Sequence, residues 1–409
     1  MQTSREQGQM AAAAVPLLYV CDWPPSNLAG GPILMSRLLV EYPMDAMTVL
    51  TSTRFSRVSP HDGRLACDEI TVQLSEGHGR FGLGHIRTAL NWLRVPLITA
   101  DVWRTIRRRQ IVAVLTILHG QFYFAAALAA RLRRVPYIVV VHDDYVSQMN
   151  IAARMLVRAI LRNAAHVYCV SPGMQETMRS QFGVDSELQW PSTERPALNS
   201  VRRRGGELSI VYAGSVTSAV EDSLKSLTDL ITSGRLREYG IQDVKLHLYT
   251  AVKDEQKRAW GWDHPDIFIH PWVGQSELLQ VLRNADILFL PFSFLAKERH
   301  TVEAAFPSKT ADYLASGTPI VVFAPNYSSL VAYARREGFG EIVSEQDPEL
   351  LARAIVRIAA NPSHRQTLSK RSLAVFSKNH DIGQQRAGFL RTLNSIVSGR
   401  LGHKATTGI

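Results

Sequence analysis

No lysine occurs before residue 225, and cysteine is scarce throughout, with three in 409 residues (Cys21, Cys67 and Cys169). These cysteines are scattered and fit neither a disulfide framework nor the paired spacing of a zinc site. They point to a reducing compartment. Low-complexity blocks and short internal repeats are absent, which excludes solenoids, fibrous chains and disordered tails. The longest stretch free of Lys, Arg, Asp and Glu is residues 110–130. It is long enough to cross a bilayer, but His119-Gly120-Gln121 breaks it at the centre. It reads instead as a buried strand over 111–118, a turn, and a helix over 122–131. A secretory signal is not expected either, because Glu6 follows Arg5 and Pro16 interrupts residues 11–21. The expected location is therefore cytoplasmic.

The missing lysines leave an uneven charge. The chain carries +10 overall; residues 1–204 hold 23 Arg against 15 acidic residues, +8, which leaves +2 for the remainder. Arginine clustering suits an anionic partner such as a membrane surface or a phosphorylated acceptor. A genome rich in Arg codons would produce the same composition. Two segments, 86–109 and 152–162, set arginines beside Trp and aliphatic residues. Either they touch anionic lipid peripherally or they are solvated helix faces. No aromatic-basic module for nucleic acid is present.

Apolar runs of four to eight residues alternate with helical patterns along the whole length. They fall at 17–21, 112–118, 137–141 and 167–170, then at 210–213, 246–249, 287–290 and 320–323. Runs that are continuous rather than alternating mark strands buried on both faces. Their alternation with helices predicts an α/β chain with parallel sheets. The stretch 190–206, WPSTERPALNSVRRRGG, lacks periodicity and reads as a linker. The expected organisation is a first Rossmann-like domain over 1–195, a linker over 196–206, a second over 207–380, and a final helix over 381–409 that crosses back. Two doubly wound domains would then face one another across a cleft, with ligands beyond the carboxyl ends of the strands.

The segment 306–322, FPSKTADYLASGTPIVV, reads as a loop, a short helix, a glycine stop and a buried strand. Pro307 before the helix leaves the amides of Ser308 and Lys309 as donors at its N-terminus, where a diphosphate would be stabilised. Asp312 lies one turn on, about 5.4 Å further along the axis, within reach of a ribose. A solvated face with an i,i+3 Lys–Asp pair explains the same spacing. In the first half, Gly30-Gly31-Pro32 follows the first strand and opens a helix, either as a turn or as a close approach to a ligand. His142 ends the strand over 137–141 and Asp143 follows it. Asp143 would serve as an acceptor-side base or as a helix cap. Asp143-Asp144 is a weak metal candidate, and His119, also at a strand end, is a further candidate.

The run PSKTADYLASGTPIVV resembles the "P-S-K-x-x-E-Y-L-A-x-G-x-P-V-V" block of glycosyltransferases with the GT-B fold, family 4 type. FIHPWVGQSELLQVLRNADILFLPF and AHVYCVSPGMQETMRSQFG are similar to two further blocks of that family. The ordered set spans residues 17 to about 393. The resemblance implies transfer of a sugar from a nucleotide-diphosphate donor to a saccharide or lipid-linked acceptor, with retention at the anomeric carbon, in polysaccharide or glycoconjugate assembly. It places Val273 and Gly274 at the nucleobase and Asp312 at the ribose. It places Ala305, Phe306 and Ser308 at the phosphates, beside the charge of Lys309, Gly214 and Ser215 in the cleft, and Gly30 and Gly31 on the donor-phosphate and acceptor side. His142 would stand near the sugar, where domain closure would bring it. No metal or other cofactor is implied. The chain departs from the pattern at Ala304, which stands where a Glu is expected with Glu303 adjacent, and at Ser215, which stands in place of an Arg. Diphosphate charge would then fall to Lys309, Lys297 or Arg299. A non-catalytic scaffold and a nucleotide-sugar epimerase on the same fold remain the alternatives.

Overall fold

The computed structural model describes residues 14–26, 30–53, 64–73, 92–142, 150–195 and 206–406. The chain divides into two compact units, residues 1–189 with 383–409, and residues 190–382. Each is built on one wholly parallel sheet.

The first unit runs β1 (Leu17–Val20), α1 (Gly30–Leu39), β2 (Met47–Ser52), β3 (Asp68–Val72), α2 (Val95–Arg108), β4 (Ala113–Ile117), α3 (Phe122–Leu132), β5 (Tyr137–Val141), α4 (Ile151–Asn163), β6 (His166–Cys169), α5 (Pro172–Thr177) and β7 (Glu187–Leu188). Its sheet has the order β3-β2-β1-β4-β5-β6-β7. The inner strands are buried on both faces, and alternate residues feed two cores. Leu18, Val20, Val114, Val139 and Val141 pack under α2, α3 and α4. Leu17, Tyr19, Leu115, Ile138 and Val140 pack under α1 and, through Phe389 and Leu393, the closing helix Ile382–Thr406. Burying one such side chain stabilises by about 1.5–3 kcal/mol, which is why the runs lack polar alternation. Residues 110–130 form β4, a turn and most of α3, and among the described residues no helix is long and apolar enough to cross a membrane.

Local signals set the helix ends. Ser171 Oγ accepts from Met174 N at 3.0 Å and Pro172 opens α5, a capping pattern that fixes where the helix begins. Asn150 caps α4 in the same way.

The second unit runs β8 (Leu208–Ala213), α6 (Glu221–Thr232), α7 (Arg235–Glu238), β9 (Val244–Tyr249), α8 (Asp254–Ala259), β10 (Ile267–His270), α9 (Gln275–Asn284), β11 (Ile287–Pro291), α10 (Arg299–Ala304), α11 (Lys309–Ser316), β12 (Ile320–Phe323), α12 (Ser329–Glu337), β13 (Glu341–Val343), α13 (Pro348–Ala360) and α14 (Pro362–Val375). Its sheet order is β10-β9-β8-β11-β12-β13. In each unit the first strand sits where the direction of winding reverses, beside β4 in one and β11 in the other. The carboxyl ends at that reversal are where a doubly wound sheet leaves room for a ligand.

Candidate active site

In the first unit three strand ends converge. Asp22 lies two residues past β1, His119 two past β4, and His142 one past β5. His119 Nδ1 and Asp22 Oδ1 are 2.9 Å apart, and Cys21 Sγ donates to the same oxygen at 3.4 Å. His142 is 9% exposed, and its Nε2 is buried without a hydrogen-bond partner among the described residues. Burial, and secondarily His119 nearby, lowers its pKa to about 4, so it is a neutral imidazole at physiological pH, a donor and acceptor rather than a cation. A β-carbon on Gly31 would stand 2.8 Å from His142 Nδ1. The glycine is what lets the start of α1 close over the ring. Gly30 is exposed and Gly31 half-buried at that helix start. Asp143 and Asp144 lie outside the described residues.

In the second unit α11 supplies the corresponding arrangement. Among the described residues the backbone N–H groups of Phe306, Ser308 and Lys309 donate to no protein acceptor. They are the orphan donors of the turn that begins the helix. The first bonds of that turn run from Thr310 N to Pro307 O and from Ala311 N to Ser308 O. Lys309 does not extend along the surface. Its ammonium is enclosed under Gly214, donates to Tyr212 Oη at 2.8 Å and stands 4.0 Å from the centroid of that ring. Tyr212 in turn donates to the carbonyl of exposed Ser215 at 2.7 Å. Burial lowers the Lys309 pKa to about 7. Tyr313, one helical turn along, accepts from Ala213 N at 2.8 Å. Lys309 and Tyr313 thus both clamp α11 to the end of β8.

Phe306 is held in an aromatic cluster. Its ring lies 5.3 Å from Trp190, 5.3 Å from Tyr333 and 6.1 Å from His380. His380 is wholly buried, bonded through Nε2 to Tyr333 Oη at 2.8 Å and through Nδ1 to Pro191 O at 2.6 Å. Phe306 therefore fixes the loop by packing and contributes its amide. Asp312 is half-buried on α11. Val273 is half-buried and Gly274 exposed at the start of α9. Ala304 is buried, whereas Glu303 is exposed and 3.8 Å from Arg299. Arg299 lies over the Tyr327 ring at 4.7 Å. Among the described residues no group of three or more His, Cys, Asp or Glu is placed to hold a metal ion.

Residues 46–189 match the glycosyl transferase 4-like domain, and residues 207–361 match glycosyl transferases group 1. The chain belongs to the group 1 glycosyltransferases, with the GT-B fold. Sequence comparison with curated proteins gives no match. Among solved structures the fold is similar to that of Anabaena HepE in complex with UDP, with a TM-score of 0.66 at 13% identity over 93% of this chain and 100% of that one. It is also similar to a sucrose-phosphate synthase from Thermosynechococcus elongatus (0.62, 16%, 97% and 100%) and to a trehalose 6-phosphate synthase from Burkholderia multivorans (0.65, 11%, 95% and 98%).

Within this glycosyltransferase, Gly214, Ser215, Val273, Gly274, Glu303, Phe306, Ser308, Lys309 and Asp312 fall inside the group 1 match, and His119 and His142 inside the 4-like match. Asp22, Gly30 and Gly31 precede both. Asp22, Tyr212 and Tyr313 join the candidate site through their contacts, and sequence reasoning missed them. A polar residue just past a buried strand was the available signal for Asp22; the two tyrosines look like ordinary core aromatics.

Proposed function

We propose that this glycosyltransferase moves a sugar from a nucleotide-diphosphate donor to a saccharide or lipid-linked acceptor, in polysaccharide or glycoconjugate biosynthesis, with retention at the anomeric carbon. The observation that carries the donor reading is the turn at 306–309. Three unpaired amides and an enclosed lysine meet at the start of a helix. That environment suits a diphosphate, because oriented N–H groups already in place need no reorganisation as charge develops, and a bound phosphate favours the charged form of the lysine beside them. Similarity of fold to HepE in complex with UDP supports a nucleotide at this kind of site.

In this reading Phe306, Ser308 and Lys309 hold the diphosphate and Asp312 the ribose hydroxyls. Backbone groups of Val273 and Gly274 meet the base, Gly214 and Ser215 border the phosphates, and Glu303 acts from the flank of α10. In the first unit, Gly30, Gly31 and neutral His142 form a surface that takes sugar hydroxyls. The anomeric C–O bond breaks, its electron pair leaves with the nucleoside diphosphate, and the acceptor oxygen attacks the same face. The acceptor proton passes to the departing phosphate oxygen. Asp22 fixes the His119 ring to orient the acceptor hydroxyl, and Asp143 borders the same acceptor. Charge neutralisation by α11 and Lys309 lets the reaction proceed without a metal ion.

The test is a panel of nucleoside diphosphates and sugar nucleotides, read by thermal stabilisation and donor hydrolysis. One nucleotide should stabilise the protein, and Lys309→Ala with Asp312→Ala should abolish that effect. No stabilisation by any of them refutes the reading, and stabilisation unchanged in the double variant refutes the site.

A further inference from the structure

Eight of the thirteen exposed large hydrophobic side chains among the described residues belong to one helical layer of the first unit, formed by α2, α3 and α4 with the residues that lead into them. On the other layer, among the described residues, only Val40 beside α1 is of this kind. The chemistry of the layer is one-sided. Residues 92–134 and 150–163 together contain 11 Arg, one acidic residue (Asp101) and no Lys or Glu.

The two classes of side chain are segregated. All strands of this sheet are parallel, and α3 and α4 each join neighbouring strands, while α2 leads directly into β4. The three helices therefore run in the same direction. Near their N-terminal ends stand Leu93 (74% exposed), Leu97 (65%), Ile151 (79%) and Met155 (69%). Toward their C-terminal ends stand exposed Arg107, Arg108, Arg131, Arg134, Arg158 and Arg162, which make no ion pair among the described residues. Leu128 lies midway, and Leu132 is the one exposed apolar residue within the arginine band. On α4 the segregation runs along one line at i,i+4 spacing, Ile151 to Met155 and then Arg158 to Arg162. The inward face keeps Val157, Ile160 and Leu161.

We infer that this layer docks on an anionic lipid bilayer, with the apolar end entering the headgroup and acyl boundary and the arginine band meeting lipid phosphates. Four separate aliphatic side chains at one end suit shallow insertion, and a guanidinium band suits phosphate oxygens, which it meets in bidentate fashion. Carboxylates are few, and Asp101 and Asp68 are each paired with an arginine, Arg104 and Arg109, which limits the repulsion that an anionic surface would otherwise impose. Docking here would give the enzyme access to acceptors displayed at a membrane. The inference stands apart from the donor-site reading, because none of these residues belongs to that site.

The experiment is flotation of the full chain with vesicles of phosphatidylcholine alone and of equimolar phosphatidylcholine and phosphatidylglycerol, at low and high salt. Leu97→Ser with Met155→Ser should lower partition onto the anionic vesicles by about tenfold or more. Arg108→Gln, Arg131→Gln and Arg158→Gln should each lower it by about fivefold and flatten the salt dependence. All these positions are exposed, so thermal stability and donor hydrolysis in solution should be unchanged; failure of the donor reading would leave flotation untouched. Absence of flotation with anionic vesicles at low salt overturns the inference. So does flotation unaffected by both sets of variants, or a concentration-dependent dimer that the apolar variants dissociate.

Discussion

Gly214 lies so close over Lys309 that a β-carbon there would stand 2.4 Å from Nζ and 2.7 Å from Cε. The φ of +150° at Gly214 is itself one that L-residues rarely adopt. Glycine is thus required at this point for its backbone, and an added β-carbon would push the flexible end of the lysine aside. Gly214→Ala should lower stability by roughly 1–3 kcal/mol and displace the lysine, lowering nucleotide affinity about tenfold to hundredfold. Thermal unfolding and nucleotide titration of the variant check this. Full nucleotide affinity in Gly214→Ala would show that the enclosed position of Lys309 is irrelevant to the ligand.

Lys309 should make donor binding dependent on pH. Burial holds its pKa at about 7 in the free protein, and a bound diphosphate favours the charged form. A sugar nucleotide should therefore take up about half a proton on binding at pH 7 and nearly one at pH 8, with affinity falling toward tenfold per pH unit above 7. Calorimetry in two buffers of different ionisation enthalpy measures the uptake. Equal heats in both buffers at pH 8 would exclude Lys309 as the phosphate partner.

The same lysine should cost stability. Its folded pKa of about 7 lies below the ordinary 10.5. The unfolded chain binds more protons between those values, so stability rises with pH across that window and the full penalty applies below pH 7. Lys309→Met keeps the volume and removes the buried ammonium, an exchange that often stabilises. It should raise stability by roughly 1–3 kcal/mol at pH 7 while lowering nucleotide affinity about tenfold to hundredfold. Thermal unfolding with and without nucleotide separates the two effects.

Asp22 and His119 are 97 residues apart and meet only because β1 and β4 are neighbours in the sheet. Asp22→Asn should leave donor affinity unchanged and lower the ratio of transfer to donor hydrolysis about tenfold or more, with a raised acceptor KM. Product analysis with one sugar nucleotide and one acceptor measures that ratio. A ratio equal to that of the unaltered enzyme would remove the pair from acceptor handling.

This pair also marks how far the sequence was legible. Inner strands such as β5 and β12 are continuous apolar runs because both faces are covered, and they could be read directly. Edge strands could not: β3 is Asp-Glu-Ile-Thr-Val with three of its five residues exposed, and β13 has only three residues. The loop, short helix and strand over 306–323 were legible because proline and glycine punctuate them. The orientation of Lys309 was not, since helix spacing assigns it to an open arc while the chain folds Gly214 over its ammonium. Contacts made by strand order, as for Asp22 with His119 and Tyr212 with Lys309, leave no trace in local spacing.

Two histidines should set the acid limit of stability. His142 and His380 have pKa values lowered by burial to about 4, against an ordinary 6.5. Between those values the unfolded chain is protonated at both positions and the folded one is not. Stability is therefore complete above pH 6.5 and declines as pH falls toward 4, by roughly 2–3 kcal/mol for each ring. His380 has the firmer claim to a structural role, since both ring nitrogens are engaged by Tyr333 and Pro191 and the ring packs on Phe306. A charged His380 cannot keep accepting from Tyr333, so acid should loosen the loop that carries Phe306. His380→Gln should start less stable at pH 7 but lose less between pH 6.5 and 4. His142→Gln should flatten the same acid slope without disturbing the Phe306 loop. Denaturant midpoints of the three proteins across that pH range decide it. Parallel slopes in all three would mean that neither imidazole is the group that acid titrates.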